Sequence, residues 1–304
     1  LHFLLTRMEK RRNFKKMDKN YLKIFKVKMR ILKNQLNWFC NKFLSKFIFT
    51  KKFINQNNIL SNDLIENHLI LAPHADDEWV GCSQIIRKSK KTSVYYFNFL
   101  GNNYNEQNKK IRLNEINNVS QNKNFELYVS SDSNDFSDLK TLLSEKKFST
   151  IFIPFPIDWH PEHIKVNKII FDILNNNNFD DINLFFYHVS VPISEFQENL
   201  FYLPLNKEEA KDKIKTFDKF YISQKNTPIR RFVLQNFLWA QGQNFYASEV
   251  FAKLELNEWR ELLYFIDETF HEIKNIVHFI DSPYKIRHLS NDLYTKFKNH
   301  KSTS

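Results

Sequence analysis

The chain has 304 residues, 42% of them hydrophobic, which is enough for one large domain with a sizeable core, alone or with an extension. Its net charge of +11 is uneven: residues 1–53 hold sixteen Lys or Arg and two Asp or Glu, a charge of +14, so the rest sums to −3. That mildly acidic body argues against a domain that binds polyanions over its own surface. Cys40 and Cys82 form no disulfide framework, which favours a reducing compartment.

The basic segment, residues 1–57, predicts an extension with a long amphipathic helix over residues 19–49. Apolar side chains recur there at steps of three or four. They are Tyr21, Phe25, Met29, Leu32, Leu36, Phe39, Phe43 and Phe47. Two interpretations stay open: the helix binds an anionic membrane surface, or it packs on its own domain or another subunit with its basic face in solvent. We expect no nucleic-acid partner, because the aromatic residues keep to a helical stripe and no known reader motif occurs.

Residues 58–256 are predicted to form the main globular domain, in which strands alternate with helices. The predicted strands are 69–73, 93–100, 125–130, 150–155 and 183–191. The predicted helices are about 79–90, 107–123, 136–147, 161–175 and 207–222. This order indicates βαβ units and therefore an α/β fold with a mostly parallel sheet. Residues 257–304 are predicted to be a helical tail without evident chemistry, and 228–250 has no clear pattern.

The first cluster of chemically active side chains is Pro73-His74-Ala75-Asp76-Asp77-Glu78, directly after a predicted strand. Imidazole and carboxylate are ordinary zinc ligands. Because His74 and Asp77 are three residues apart, one turn can direct both at a single ion. Asp76 is then left beside the metal as a candidate general base. Acidic residues of this kind also occur at solvated helix starts, where they favour the helix dipole.

The second cluster is Asp158-Trp159-His160-Pro161-Glu162-His163, and it also follows a predicted strand. We predict that His163 is the third metal ligand and that His160 faces the substrate, where it stabilises the oxyanion or protonates the leaving amine. Asp158 is predicted to fix the tautomer of one histidine. Alone, such a motif is most often a turn with surface histidines. Two clusters at strand ends, with complementary ligand types, favour one shared metal site.

Both clusters, with Gly81-Cys82 after the first, resemble the signatures of the LmbE-like, or PIG-L, zinc-dependent de-N-acetylases. Arg112 and Glu115 resemble the Arg-x-x-Glu pair of that family. Two later segments resemble its C-terminal elements. They are Tyr221-Ile222-Ser223-Gln224 and Ala247-Ser248-Glu249-Val250-Phe251. The resemblance covers about residues 68–252, and the sequence departs from the family pattern at Ala75, Ser83, Gln84 and Glu162.

The resemblance implies a Rossmann-like α/β sheet with helices on both faces. It also implies hydrolysis of the N-acetyl group of an N-acetylglucosamine-type conjugate (a glycolipid, a glycoside or a polysaccharide precursor) with release of acetate. The implied cofactor is Zn²⁺ on His74, Asp77 and His163. The implied catalytic residues are Asp76, His160 and Asp158. Arg112 is expected either to bind the distal part of the substrate or to pair with Glu115.

Two other functions stay open on the residues alone. One is a metal-dependent phosphoesterase with the same ligands, although two-metal sites generally need more carboxylates. The other is a non-catalytic protein whose basic arm acts at a membrane surface on a degenerate enzyme body. Residues 1–5 are too short for a signal-peptide core, and no run of eighteen apolar residues occurs. We therefore expect a cytoplasmic protein that can bind peripherally to the inner face of a membrane.

Overall fold

A computed structural model describes the greater part of the chain. The described residues are 58–61, 66–99, 105–131, 136–176, 182–224, 229–241, 244–279 and 282–303, with eight positions of the basic segment. The chain divides into two compact units, Leu1–Ile48 and Phe49–Ser304. The proposed boundaries at 57/58 and 256/257 stay predictions.

One sheet dominates the larger unit. Its strands are β1 (His68–Ala72), β2 (Thr92–Tyr96), β3 (Glu126–Val129), β4 (Thr150–Pro154), β5 (Asn183–Tyr187), β6 (Leu200–Leu205) and β7 (Ala247–Lys253). Among the described residues their order is β3-β2-β1-β4-β5-β7-β6. The pairs from β3 to β5 are parallel, and β7 runs antiparallel to both β5 and β6. The predicted α/β class with a mostly parallel sheet is confirmed.

The helices between and after the strands cover this sheet. They are α1 (Asp77–Lys88), α2 (Glu106–Lys123), α3 (Ser137–Lys146), α4 (Pro161–Asn175), α5 (Lys207–Phe220), α6 (Ile229–Trp239), α7 (Leu256–Lys274) and α8 (Pro283–Thr303). All five residues of β1 are buried, as expected for a central parallel strand covered on both sides. Trp259 of α7 and Phe297 of α8 belong to the same hydrophobic core as Leu69 of β1 and Ile151 of β4.

Two strand predictions were too long. The predicted strand 93–100 ends at Tyr96, because Asn98 takes a left-handed backbone (φ 58°) that breaks the extended run. The predicted strand 183–191 ends at Tyr187, and the chain beyond it turns so that the Ser190 N–H points at the Asp158 carboxylate, 3.4 Å away. Strand β6 was not predicted, and its Pro204 argues against a strand except at a sheet edge, where β6 lies.

The strand order places the two clusters together. Strands β1 and β4 are parallel neighbours, with His68 opposite Thr150 and Ile70 opposite Phe152. The chain continues outward from this central pair in opposite directions, through β2 on one side and β5 on the other. Open α/β sheets bind ligands at the carboxyl ends of strands at such a switch point. The loops that follow β1 and β4 therefore meet at this edge.

The basic segment is helical at every position that the structure describes. These positions are 25, 29, 32, 33, 36, 39, 40 and 43. Six apolar side chains here are exposed, from 48% for Met29 and Leu32 to 69% for Phe39. Tyr21 and Phe47, the ends of the predicted stripe, lie outside the described residues. Within the described part of the chain, no helix is long and apolar enough to cross a membrane.

Candidate metal and catalytic site

The loop after β1 brings His74 and Asp77 onto one point. The backbone N–H of His74 donates to Oδ2 of Asp77 at 2.8 Å, and Nδ1 of its ring lies 3.1 Å from the same oxygen. Asp77 opens helix α1, and Asp76 precedes it as the N-cap with φ 137°. The turn therefore holds the Asp77 carboxylate beside Nδ1 of His74.

The loop after β4 supplies the other half of the site. Pro161 opens α4, which places His163 in the first turn and His160 at the N-cap. One oxygen of Asp158 accepts the His160 backbone N–H at 3.0 Å, and the other lies 3.0 Å from Nδ1 of His163. Asp158 and His163 are both buried. The carboxylate thereby fixes the orientation of the His163 ring.

Three donor atoms from the two loops form a nearly equilateral triangle. Nδ1 of His74, Oδ2 of Asp77 and Nε2 of His163 are separated by 3.1, 3.3 and 3.2 Å. Ligands bound to tetrahedral zinc at 2.0–2.1 Å lie about 3.3 Å apart, so the triangle has the size of one face of a zinc site. The two nitrogens and one carboxylate oxygen also fit the donor chemistry of zinc.

Each histidine of the triangle has a carboxylate on its second ring nitrogen. Oε2 of Glu162 lies 2.6 Å from Nε2 of His74, as Asp158 lies against His163. Carboxylates in this place orient metal-binding imidazoles and raise their basicity. The contact of Glu162 was not foreseen, although the sequence places it between two of the candidate histidines.

His160 lies beside the triangle and offers a second arrangement of ligands. Its ring centroid is 4.4 Å from that of His74, and one nitrogen from each of His74, His160 and His163 lies within 4.8 Å of the others. Burial and the neighbouring His74 lower the pKa of His160 to about 4. Its Nδ1 is buried without a hydrogen-bond partner among the described residues. The nearest described carboxylate oxygen to that nitrogen is Oε2 of Glu162 at 3.9 Å, beyond hydrogen-bond distance. A neutral imidazole in this place can donate to a substrate or bind an ion.

The electrostatic environment of the cluster favours positive charge. Burial opposes ionisation of Asp77, but His163 and His74 outweigh it and hold the pKa of Asp77 well below its usual range. Burial likewise opposes protonation of His74, but Asp77 and Glu162 raise the pKa of His74 to about 9. These carboxylates therefore stabilise positive charge at the place where a metal ion would lie.

Asp76 has the opposite electrostatic environment. Burial and the adjacent Asp77 raise its pKa well above the usual value for a carboxyl group, and Arg112 partly offsets this. Arg112 is half-buried, and one terminal nitrogen of its guanidinium has no hydrogen-bond partner among the described residues. The described residues contain no Arg112–Glu115 pair, because Glu115 accepts the N–H and hydroxyl of Ser223 instead, at 2.5 and 2.7 Å.

Comparison with solved structures identifies the fold. Conserved protein TT1542 from Thermus thermophilus is 17% identical, with a TM-score of 0.50 over 62% of this chain and 95% of that one. N,N'-diacetylchitobiose deacetylase from Pyrococcus horikoshii is 14% identical (TM-score 0.47, 63% and 85% covered). The 4-carboxy-2-hydroxymuconate hydratase from Pseudomonas putida is 9% identical (TM-score 0.48, 62% and 96% covered). Likeness at this level of sequence identity shows the fold alone, and function has to be argued from the site.

No protein-family model matches the chain, and no curated protein sequence matches it either.

Proposed function

We propose that this protein is a zinc-dependent amidohydrolase that removes the N-acetyl group from an N-acetylglucosamine-type sugar conjugate. The triangle of His74, Asp77 and His163 beside the buried Asp76 carries the proposal. The choice of an acetylated amino sugar rests on the resemblance of the two sequence clusters to the LmbE-like de-N-acetylases.

In this proposal His74, Asp77 and His163 hold the ion. When bound, zinc acts as a Lewis acid that polarises an acyl carbonyl and acidifies water. The protein residues supply the rest of the chemistry. Asp76, whose pKa is raised by burial and by Asp77, accepts a proton from the attacking water and returns it to the leaving amine.

His160 and Arg112 are assigned to the substrate. His160 is neutral near pH 7, because burial lowers its pKa, and it can donate a hydrogen bond to the oxyanion that forms on the acyl carbon. Asp158 acts indirectly, since it orients His163 and the His160 backbone. One terminal nitrogen of Arg112 has no hydrogen-bond partner in the described part of the chain, and the guanidinium is close enough to influence Asp76. We assign Arg112 to a polar group of the sugar or its aglycone.

The carboxylates of the site argue against a two-metal phosphoesterase. Glu162 lies against His74, and Glu78 accepts hydrogen bonds from Tyr221 and the Asp76 backbone. Asp158 is engaged with His163. A second ion would need several further carboxylates, and these three already have protein partners, which leaves Asp76 alone beside the triangle.

The deciding experiment measures acetate release by the full-length protein from a panel of N-acetylglucosamine conjugates. We expect chelator to abolish release and added zinc to restore it, with about one ion per chain. Phosphate release from a phosphomonoester, with nearly two ions per chain, would favour the phosphoesterase. Failure to bind zinc at all would favour a non-catalytic protein.

We also propose that the helix predicted over residues 19–49 binds anionic membrane surfaces, which would place a cytoplasmic enzyme at the inner face of the membrane. Its described apolar residues are exposed and follow one another at alternating steps of four and three. They are Phe25, Met29, Leu32, Leu36, Phe39 and Phe43. Such a helix lies in the interface plane with its apolar face in the lipid and its basic face toward anionic headgroups.

Self-association is the competing explanation for this stripe, since alternating steps of four and three also occur in coiled coils. In that pattern the flanking positions of the sequence carry only basic or neutral residues. They are Lys26, Lys28, Lys33, Gln35, Cys40 and Lys42. Two copies would bring lysine toward lysine, whereas an anionic bilayer is complementary to a segment with sixteen basic and two acidic residues.

A further inference from the structure

The proposed base is held in an unfavourable backbone conformation. Asp76 has φ 137° and ψ −24°, a region that L-residues with a side chain rarely adopt. Such a conformation persists only when the surrounding contacts enforce it, and it is common at functional sites. The contacts of the turn around Asp76 therefore show what keeps its carboxylate in place.

Glu78 links the Asp76 backbone to a distant tyrosine. The N–H of Asp76 donates to Oε2 of Glu78 at 3.1 Å, and the hydroxyl of Tyr221 donates to Oε1 of the same carboxylate. Glu78 and Tyr221 are almost completely buried. Two oxygens of one carboxylate thus connect the strained residue to a side chain 143 positions from Glu78 in the sequence.

Two neighbours of Tyr221 attach the same segment to the site. Nε2 of Gln224 donates to the carbonyl oxygen of Ala75 at 2.8 Å, so the C=O and the N–H of the Ala75–Asp76 peptide group are both held. Ser223 donates twice to Glu115 of α2, which anchors the segment to the body of the domain. The segment Tyr221–Gln224 therefore holds both edges of the peptide group that leads into the strained residue, through Glu78 on one edge and directly on the other.

We infer that Tyr221 and Gln224 are positioning residues that fix the Asp76 carboxylate for proton transfer. The inference rests on the proposed role of Asp76 as the base. Tyr221 acts through Glu78, since its hydroxyl holds the carboxylate that accepts the Asp76 N–H. Gln224 acts through the Ala75 carbonyl. The side-chain hydrogen bonds given above go to Glu78 and to the Ala75 carbonyl, whereas the proposed metal ligands are His74, Asp77 and His163. Loss of these two bonds is therefore expected to displace the base and to spare the ion.

The test compares Tyr221→Phe with Tyr95→Phe in the full-length protein. Tyr95 is a matched control, because it is also buried and its hydroxyl donates to a carboxylate, Asp138, at 2.8 Å, away from the Asp76 turn. We expect Tyr221→Phe to lower kcat about 10- to 100-fold, the scale of a displaced catalytic group, with KM and bound metal unchanged. Tyr95→Phe should keep kcat. A general loss of packing would affect both variants alike.

Hydrogen exchange gives a second measurement that needs no substrate. The peptide 73–80 should exchange faster in Tyr221→Phe than in the wild type and in Tyr95→Phe. If the protein deacetylates nothing, the proposed function fails, but faster exchange at 73–80 still shows that Tyr221 holds the turn. Unchanged exchange, or a kcat within twofold of the wild type, overturns the inference. Should Tyr221→Phe not fold, Gln224→Leu decides by the same two measurements.

Discussion

Oδ2 of Asp158 lies 3.0 Å from Nδ1 of His163, and this leaves Nε2 of the same ring 3.3 Å from Asp77 and 3.2 Å from His74. A carboxylate on one nitrogen of an imidazole selects the tautomer whose other nitrogen is free to bind a metal. The pair therefore links the second sequence cluster to the first, and it defines which atom of His163 faces the proposed ion.

This geometry predicts that His163→Ala loses the metal and that Asp158→Asn only weakens its binding. His163→Ala removes a donor atom, so we expect zinc to be lost while the secondary structure is kept. Asp158→Asn leaves every donor atom in place, and we expect metal affinity to fall about 10- to 100-fold. Metal content after dialysis and zinc titration measure both effects. His288→Ala is the control, because that side chain is 76% exposed on α8. Full zinc occupancy in His163→Ala would contradict the ligand assignment.

Asp76→Asn separates catalysis from metal binding. Asp76 lies outside the donor triangle, so the variant should keep its zinc. Loss of the base should lower the rate of acetate release by about 10²-fold or more. Asp267→Asn is the control for the same substitution at the surface, since Asp267 is an exposed partner of Lys168. Near-normal turnover by zinc-loaded Asp76→Asn would mean that another group accepts the proton.

The sequence predicted the parallel half of the sheet well, because its strands are short apolar runs separated by segments whose apolar residues recur at helical spacing. Strand β4, predicted at 150–155, is found at Thr150–Pro154, and helix α4 matches its predicted range. The antiparallel half was not predicted. Strand β7 contains the buried Glu249, which pairs with the buried Lys213, and a charge within a strand hides its apolar pattern.

The candidate site was predicted as two clusters at strand ends, and the structure places them at neighbouring strands. The contacts that surround the donor triangle were not predicted from the sequence. Glu162 on His74 and Tyr221 on Glu78 join residues 88 and 143 positions apart, and no local pattern encodes such pairs. The Tyr-x-Ser-Gln element was recognised only as a resemblance, because its role appears only when the chain folds it against the turn at Asp76.

His188 predicts acid sensitivity of the fold. It follows β5 and is 5% exposed, and burial with the nearby Lys213 and Arg287 lowers its pKa to about 3. The unfolded chain binds this proton near pH 6.5 and the native protein does not. The contribution of the neutral His188 to the free energy of unfolding is therefore fully present above about pH 6.5. It is lost progressively as the pH falls from there toward 3.

His188→Gln should remove this contribution. Between pH 7.5 and 5, the free energy of unfolding of the wild type should fall by about 2 kcal/mol more than that of the variant. Urea titrations at fixed zinc concentration measure the difference, and contributions from other groups cancel. Parallel pH profiles would show that His188 is not held neutral in the folded protein.

The exposed stripe of the basic segment predicts binding to anionic vesicles. Full-length protein should bind phosphatidylserine-containing liposomes at low salt, since each Lys or Arg near such a surface contributes about 1 kcal/mol. Salt should weaken binding, because it screens the electrostatic part. Replacement of Leu32, Leu36 and Phe39 by Ser should abolish most of it by removing the inserted face. Tyr264→Ser, at an equally exposed site on α7, should not.

Three further measurements distinguish membrane binding from self-association and from packing of the stripe on the domain. Sedimentation of the liposome-free protein would reveal a dimer that the serine substitutions dissociate if the stripe binds a second copy. A truncated protein that begins at Asn58 should stay folded and release acetate from a water-soluble substrate, because the proposed site and the described hydrophobic core lie within it. Its net negative charge should keep it from binding anionic liposomes. If that protein unfolds, the stripe packs against the domain. If full-length protein ignores anionic liposomes at low salt, the membrane proposal is wrong.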